Sequence, residues 1–165
     1  VSQEDKIRFQ NLYLAHYPMV NRLCLGFLKG DSDQAKDLNQ EVFIQVWNNL
    51  GKFREESSPK TWIYRITVNT CFNYLKREKV LAGKLEDAAR SQESSTEIEL
   101  TENDPVRALY EAMAALSEVD RLVTGLLLDE VSQEEIAAIL GITEGNLRVK
   151  IHRIKLRLKK LIHHE

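Results

Sequence analysis

Trp62, Arg65, Asn69, Asn73 and Lys76 recur at spacings of three and four residues, which places them along one side of a helix. A stacking ring, a guanidinium, two amides and an ammonium in one row can hold unpaired bases and the phosphates between them. The same row can also be the wetted side of an ordinary amphipathic helix, and alone the pattern does not separate the two. Ile63, Ile66, Thr70 and Tyr74 form a second side of this helix, and Val68, Phe72 and Leu75 a third. Both can be buried while the first stays out.

A second row with chemical content lies near the C-terminal end. Leu147, Ile151, Ile154, Leu158 and Leu161 form an apolar seam, with Asn146, Val149 and Arg153 nearly opposite it and Lys150 and Arg157 on the flank. Arginine pairs with guanine, asparagine with adenine, and valine methyls can touch a thymine methyl, so this row has the groups that read a major groove. A third row, Asp37, Glu41, Ile44 and Asn48, is acidic with an apolar residue in its middle. It can dock on a basic protein partner, or it is a solvated side with one stray isoleucine.

The elements that must carry these rows are helices. Only seven glycines and three prolines interrupt 165 residues, and the apolar positions recur mostly at three and four, which predicts an all-α protein. Ile7 to Leu28 reads as helical, with Pro18 expected to kink or divide it. After Gly30-Asp31-Ser32 a helix is predicted over 33–49. Ser57 and Ser58 then supply capping oxygens, and Pro59 suits the first turn or the residue just before it, for the helix that bears Trp62, in a compact unit ending near Lys79 or Val80.

Apolar periodicity weakens over 81–104, where SQESSTEIELTEND reads as a flexible acidic tether, with helix extending at most into KLEDAAR. Asp104-Pro105 reads as a new helix start, and a further helix is predicted over 118–128, where Gly125 marks a place for close packing. Ser132-Gln133-Glu134-Glu135 is a capping box. Gly141 permits a left-handed turn and Thr143 caps the final helix, which together have the spacing of a helix-turn-helix.

Charge is segregated along the chain. The net charge is only −2, yet Arg90 is the sole cation between Glu86 and Asp104, and Arg148 to Lys160 holds seven cations and no acid. Such an arrangement predicts contact with a polyanion at one defined place. Cys24 and Cys71 have no metal-ligand or disulfide spacing and read as small core residues, and the four histidines form no metal or triad spacing, so neither metal nor cofactor is expected. With no signal peptide and no apolar run near the ~20 residues that span a bilayer, the expectation is a cytoplasmic protein without membrane insertion.

Taken in order, three stretches resemble the bacterial RNA polymerase sigma factors of the extracytoplasmic-function (ECF) group. DSDQAKDLNQEVFIQVW resembles the segment that docks on the β′ clamp helices, and KFREESSPKTWIYRITVNTCFNYLKR the segment that melts and reads the promoter minus-10 element. VSQEEIAAILGITEGNLRVKIHRIKLRLKKL resembles the helix-turn-helix that binds minus-35 DNA. The resemblance implies two small helical domains, over 1–80 and 105–165, joined by a linker over 81–104.

It also implies residue roles. Core-polymerase contacts fall to Asp37, Gln40, Glu41, Ile44 and Trp47, and minus-10 contacts to Phe53, Lys60, Trp62, Arg65, Asn69, Asn73, Lys76 and Arg77. Minus-35 contacts fall to Arg148, Asn146, Val149, Lys150 and Arg153, with Ser132 and Thr143 near phosphates. The implied partners are core RNA polymerase through its β′ and β subunits, promoter DNA and an anti-sigma factor. Two departures from the family pattern, Pro59-Lys60 and Val149 in place of a serine, bear on which promoter is read. A helix-turn-helix regulator working without polymerase accounts for 132–160 but leaves the Asp37/Glu41 and Trp62/Asn69 rows unused.

Overall fold

The computed structural model describes residues 2–84 and 105–163, and every regular element among them is helical. The order is α1 (Gln3–Phe27), α2 (Ser32–Asn49), a 3₁₀ turn (Leu50–Lys52), α3 (Pro59–Lys84), α4 (Pro105–Ala114), α5 (Glu118–Leu128), α6 (Gln133–Leu140) and α7 (Glu144–Ile162). The all-α expectation is met. The tether and the proposed Asp104 cap lie outside the described residues.

Most helices begin on a side chain that satisfies an otherwise orphaned backbone donor. Ser2 caps α1, Asp31 caps α2, Ser117 caps α5, Ser132 caps α6 and Thr143 caps α7, each accepting from the N–H three residues on. At α3 the Ser58 hydroxyl oxygen accepts from Thr61 N–H at 3.1 Å, leaving Pro59 in the first turn where its missing donor costs nothing. The α1–α2 turn reverses the chain through Lys29 (φ 58°) and Gly30 (φ 86°), both left-handed.

Of the two outcomes expected at Pro18, division is ruled out: α1 runs through the proline as one helix. Met19, Val20, Leu23, Cys24 and Phe27 are all buried just beyond the proline, and their packing outweighs the one backbone bond it removes. Helix α3 runs past Val80 to Lys84, the first residue of the KLEDAAR stretch into which helix was expected at most to extend. Val80 and Leu81 stand exposed there, so burial does not carry that extension.

The first three helices pack around Val20, Leu38, Val42, Val46, Ile63 and Val68, and the last four around Leu122, Leu126, Ile136, Leu147 and Ile151. These two sets are one continuous core, because α1 lies against α5 and α3 against α6. Gly125 marks the closest approach: a Cβ there would stand 2.7 Å from Leu23 Cδ1. Close packing at this glycine is therefore confirmed.

Polar groups reinforce the seam. Buried Arg121 donates from Nε to the Phe27 carbonyl at 2.8 Å and from Nη1 to the Leu116 carbonyl at 2.6 Å, so its charge is met by two backbone oxygens. Asp129 accepts from Tyr64 Oη at 3.0 Å and from Arg22 Nε at 3.3 Å. Burial, and then the Asp129 carboxylate, push the Tyr64 phenol well above its ordinary pKa, so it remains the donor. Cys24 and Cys71 are free and buried in the first half of the core.

Candidate nucleic-acid interface

Helix α3 exposes the row that its spacing predicted. Arg65, Asn69, Asn73 and Lys76 face outward, whereas Ile63, Tyr64, Val68 and Cys71 are buried. The hydroxyls of Thr67 and Thr70 fold back onto the carbonyls of Ile63 and Ile66 at 2.7 Å, so they face inward and are not part of the exposed row. Trp62, half-buried, stacks on Phe53 with centroids 4.6 Å apart and planes inclined by 29°. Arg8 from α1 lies over the other partner of that stack, 5.5 Å from the Phe53 centroid. The loop before α3 is thus pinned by its aromatic ring to the start of the helix.

Between α3 and α2 this row borders a cleft of about 450 Å³ lined by Trp62, Arg65, Asn69, Asn73 and Arg77 on one wall. Glu41, Gln45 and Asn49 of α2 line it from the other side, together with Lys52. A stacking ring beside amides and guanidiniums suits an extruded base with its phosphate nearby. The sequence reading missed Gln45, Asn49 and Lys52. The signal was present, since Glu41, Gln45 and Asn49 follow one another at four-residue steps on α2, but only the packing of α2 on α3 turns that stripe toward the row on α3.

Not every candidate from the first half gathers there. Lys60 sits in the first turn of α3 with its ammonium 5.9 Å from the Tyr64 ring centroid, off the cleft. Its charge also helps lower the His16 pKa, after burial as the main cause. Lys76 is exposed beyond the cleft. Arg77 is bound to Glu41 through Nη2, at 3.0 and 2.7 Å to the two carboxylate oxygens, an exposed pair worth at most about 1 kcal/mol.

The five candidates on α2 divide as well. Gln40, Ile44 and Trp47 line an apolar groove of about 320 Å³ with Phe9, Tyr13 and Phe43, in which Phe9 meets Trp47 edge-on at 5.2 Å. Ile44 is 55% exposed over it. Glu41 belongs to the other cleft, and Asp37 is exposed outside both.

In the second half, α6 and α7 cross through Gly141, whose φ of 71° gives the left-handed turn of a helix-turn-helix. The Ser132 hydroxyl accepts from Glu135 N–H at 3.2 Å, so the serine half of the capping box is made, and Thr143 accepts from Asn146 N–H at 3.1 Å. Leu147, Ile151 and Ile154 are buried as a seam, which turns Asn146, Arg148, Val149 and Arg153 out to solvent. Asn146, Val149, Lys150 and Arg153 line an open pocket of about 440 Å³ together with Asp120 of α5, a residue that the sequence reading passed over. Arg148 points aside from that pocket, toward Gly145. Arg157 turns to the Ala115 carbonyl at 3.0 Å, and so braces α7 against the end of α4.

No helix among the described residues is long and apolar enough to cross a membrane. Two family models match the chain: Sigma-70 region 2 over residues 12–80 and Sigma-70 region 4 over residues 106–158. The ECF RNA polymerase sigma-E factor of Escherichia coli is 32% identical over 94% of this chain and 86% of its own length. The RNA polymerase sigma-H factor of Pseudomonas aeruginosa is 30% identical over 98% and 90%. Among solved structures, the sigma factor RpoE of Bartonella quintana in complex with the anti-sigma factor NepR superposes with a TM-score of 0.78, at 22% identity over 96% of this chain and 98% of that one. CnrH in complex with the cytosolic domain of CnrY superposes at 0.67, also at 22% identity, over 95% and 88%.

Proposed function

Because this chain belongs to the ECF sigma factors, which direct RNA polymerase to particular promoters, we propose that it divides the promoter between its two halves. The α3 row and its cleft take the unpaired minus-10 bases, and α7 reads the minus-35 duplex. The observation that carries this reading is the α3 cleft itself. Trp62, itself stacked on Phe53, lines with two exposed amides and two guanidiniums an open space of about 450 Å³, ample for a base.

Core polymerase docks on α2. The apolar groove under Ile44 and Trp47 accepts the apolar side of a helix, and the exposed Asp37 and Gln40 beside it meet that helix's polar rim. The protein performs no bond chemistry of its own: melting requires only that the strand-separated state be bound better than the duplex. Stacking at about 1–3 kcal/mol per base, with added phosphate contacts, is of the size needed to trap a few opened base pairs. RpoE, the similar solved structure, is bound by an anti-sigma factor; a partner of that kind covering these exposed faces would silence the protein.

Run-off transcription with purified core enzyme tests the reading. Discrete promoter-dependent products are expected only when the chain is added. Tight binding to core with no such product on any candidate promoter would contradict it.

A further inference from the structure

Asp120 is a carboxylate in a place built for a polyanion. It lines the pocket on α7 beside Asn146, Val149, Lys150 and Arg153, and is the sole acid among those lining residues. Any phosphate brought to this pocket is repelled by it, so a surface selected for DNA affinity alone would not keep it. A role confined to the start of α5 does not account for its direction either. The Asp120 backbone already serves that helix, its N–H donating to the Ser117 hydroxyl at 3.3 Å and its carbonyl accepting from Thr124 Oγ1 at 2.7 Å. A first-turn carboxylate favours the helix dipole equally well when it faces water. Here it crosses instead to α7 and accepts from Lys150 Nζ at 3.1 Å, with the two side chains 25% and 35% exposed.

This contact changes what a lysine does on DNA. A free ammonium on a four-carbon stem is a mobile point charge and goes to phosphate. Once one of its three N–H groups is held by Asp120, the ammonium stays at the wall of the pocket it lines with Asn146 and Arg153, with two donors left to offer a ligand there. The pair carries no net charge, so it releases no counterion on binding. What it offers is hydrogen-bond donors to an acceptor-rich edge, and in the major groove that is guanine O6 and N7.

We infer that Asp120 is a specificity-determining positioning residue, which holds Lys150 as a reader of a guanine edge in the minus-35 duplex and keeps it off the phosphates. The inference rests on the duplex-reading role of α7 proposed above.

The test uses the full chain assembled with core polymerase, first selecting from a pool of duplexes randomised over the minus-35 region and then measuring affinity against salt. Wild type should prefer guanine at one position that Lys150→Gln abolishes. Asp120→Asn, which keeps the shape and removes the charge, should lower that preference about tenfold. Its log affinity should also fall more steeply with log salt, by about 0.9, as the released lysine finds a phosphate. Asp120→Glu should retain the preference, and adding Asp120→Asn to Lys150→Gln should lower it no further. A merely structural aspartate would weaken all sequences evenly and leave the slope unchanged. That result, or base preferences identical to wild type in Asp120→Asn, overturns the inference. Wild type that selects no sequence overturns the duplex-reading role, and this inference with it.

Discussion

Arg65 stands on the open wall of the α3 cleft, exposed, one turn before Asn69. On the proposed minus-10 reading its exposed position suits a phosphate contact rather than a packing role, and the two are separable. Arg65→Ala should leave the thermal midpoint within experimental error of wild type, because an exposed guanidinium contributes little to the fold. It should flatten the salt dependence of binding to single-stranded minus-10 DNA by about 0.7, the change expected when one phosphate of a single strand is no longer neutralised. A lowered midpoint with an unchanged slope would assign Arg65 to packing. The types and spacing of Trp62, Arg65, Asn69 and Asn73 were legible in the sequence because a helical row needs only local information. The contacts of Lys60 and Arg77 were not legible by that means. One turns toward Tyr64 and the other to Glu41, partners set by how helices stack.

Helix ends were legible for the same reason. Ser58, Ser132, Gly141 and Thr143 act within three or four residues of themselves, and each does what its neighbours in sequence imply. Whether Pro18 divides α1 was not legible, because what keeps the helix whole is burial of residues from Met19 to Phe27 against other helices, which no local rule contains. Thr143 has a measurable consequence at this scale. Thr143→Ala should lower stability by about 1 kcal/mol through loss of the α7 cap, and Thr143→Ser should restore it. Calorimetry on the three proteins checks this, and an alanine variant as stable as wild type would show that α7 starts without help from the hydroxyl. Gln45, Asn49 and Asp120 were overlooked in the sequence because each gains its meaning only from the helix opposite.

For the whole molecule, the contacts that matter most were the least legible. Arg22 reaches Asp129 across 107 residues of sequence, and Arg121 reaches Phe27 across 94. These contacts close the two halves on one another. Promoter elements named minus-35 and minus-10 lie about 25 base pairs apart, or about 85 Å of duplex at 3.4 Å per pair, whereas a folded chain of this length has a radius of gyration of only about 15 Å. Residues 85–104 can reach at most about 70 Å when extended, which is enough, with the width of the two halves, to bridge the gap once they part. On the proposed division of the promoter, the closed packing opens before both elements are held. Gly125→Leu places a side chain where Leu23 now lies, and should raise the radius of gyration in small-angle scattering without loss of helix by circular dichroism. An unchanged radius would show that the seam does not depend on this contact. The division of the promoter between the halves is tested most directly by Asn69→Ala in the assembled holoenzyme, with 2-aminopurine in the minus-10 strand reporting unpairing and a separate minus-35 duplex reporting grip. The fluorescence rise on opening should be abolished or strongly slowed while minus-35 affinity matches wild type. Equal loss in both signals, or normal opening, would contradict that division.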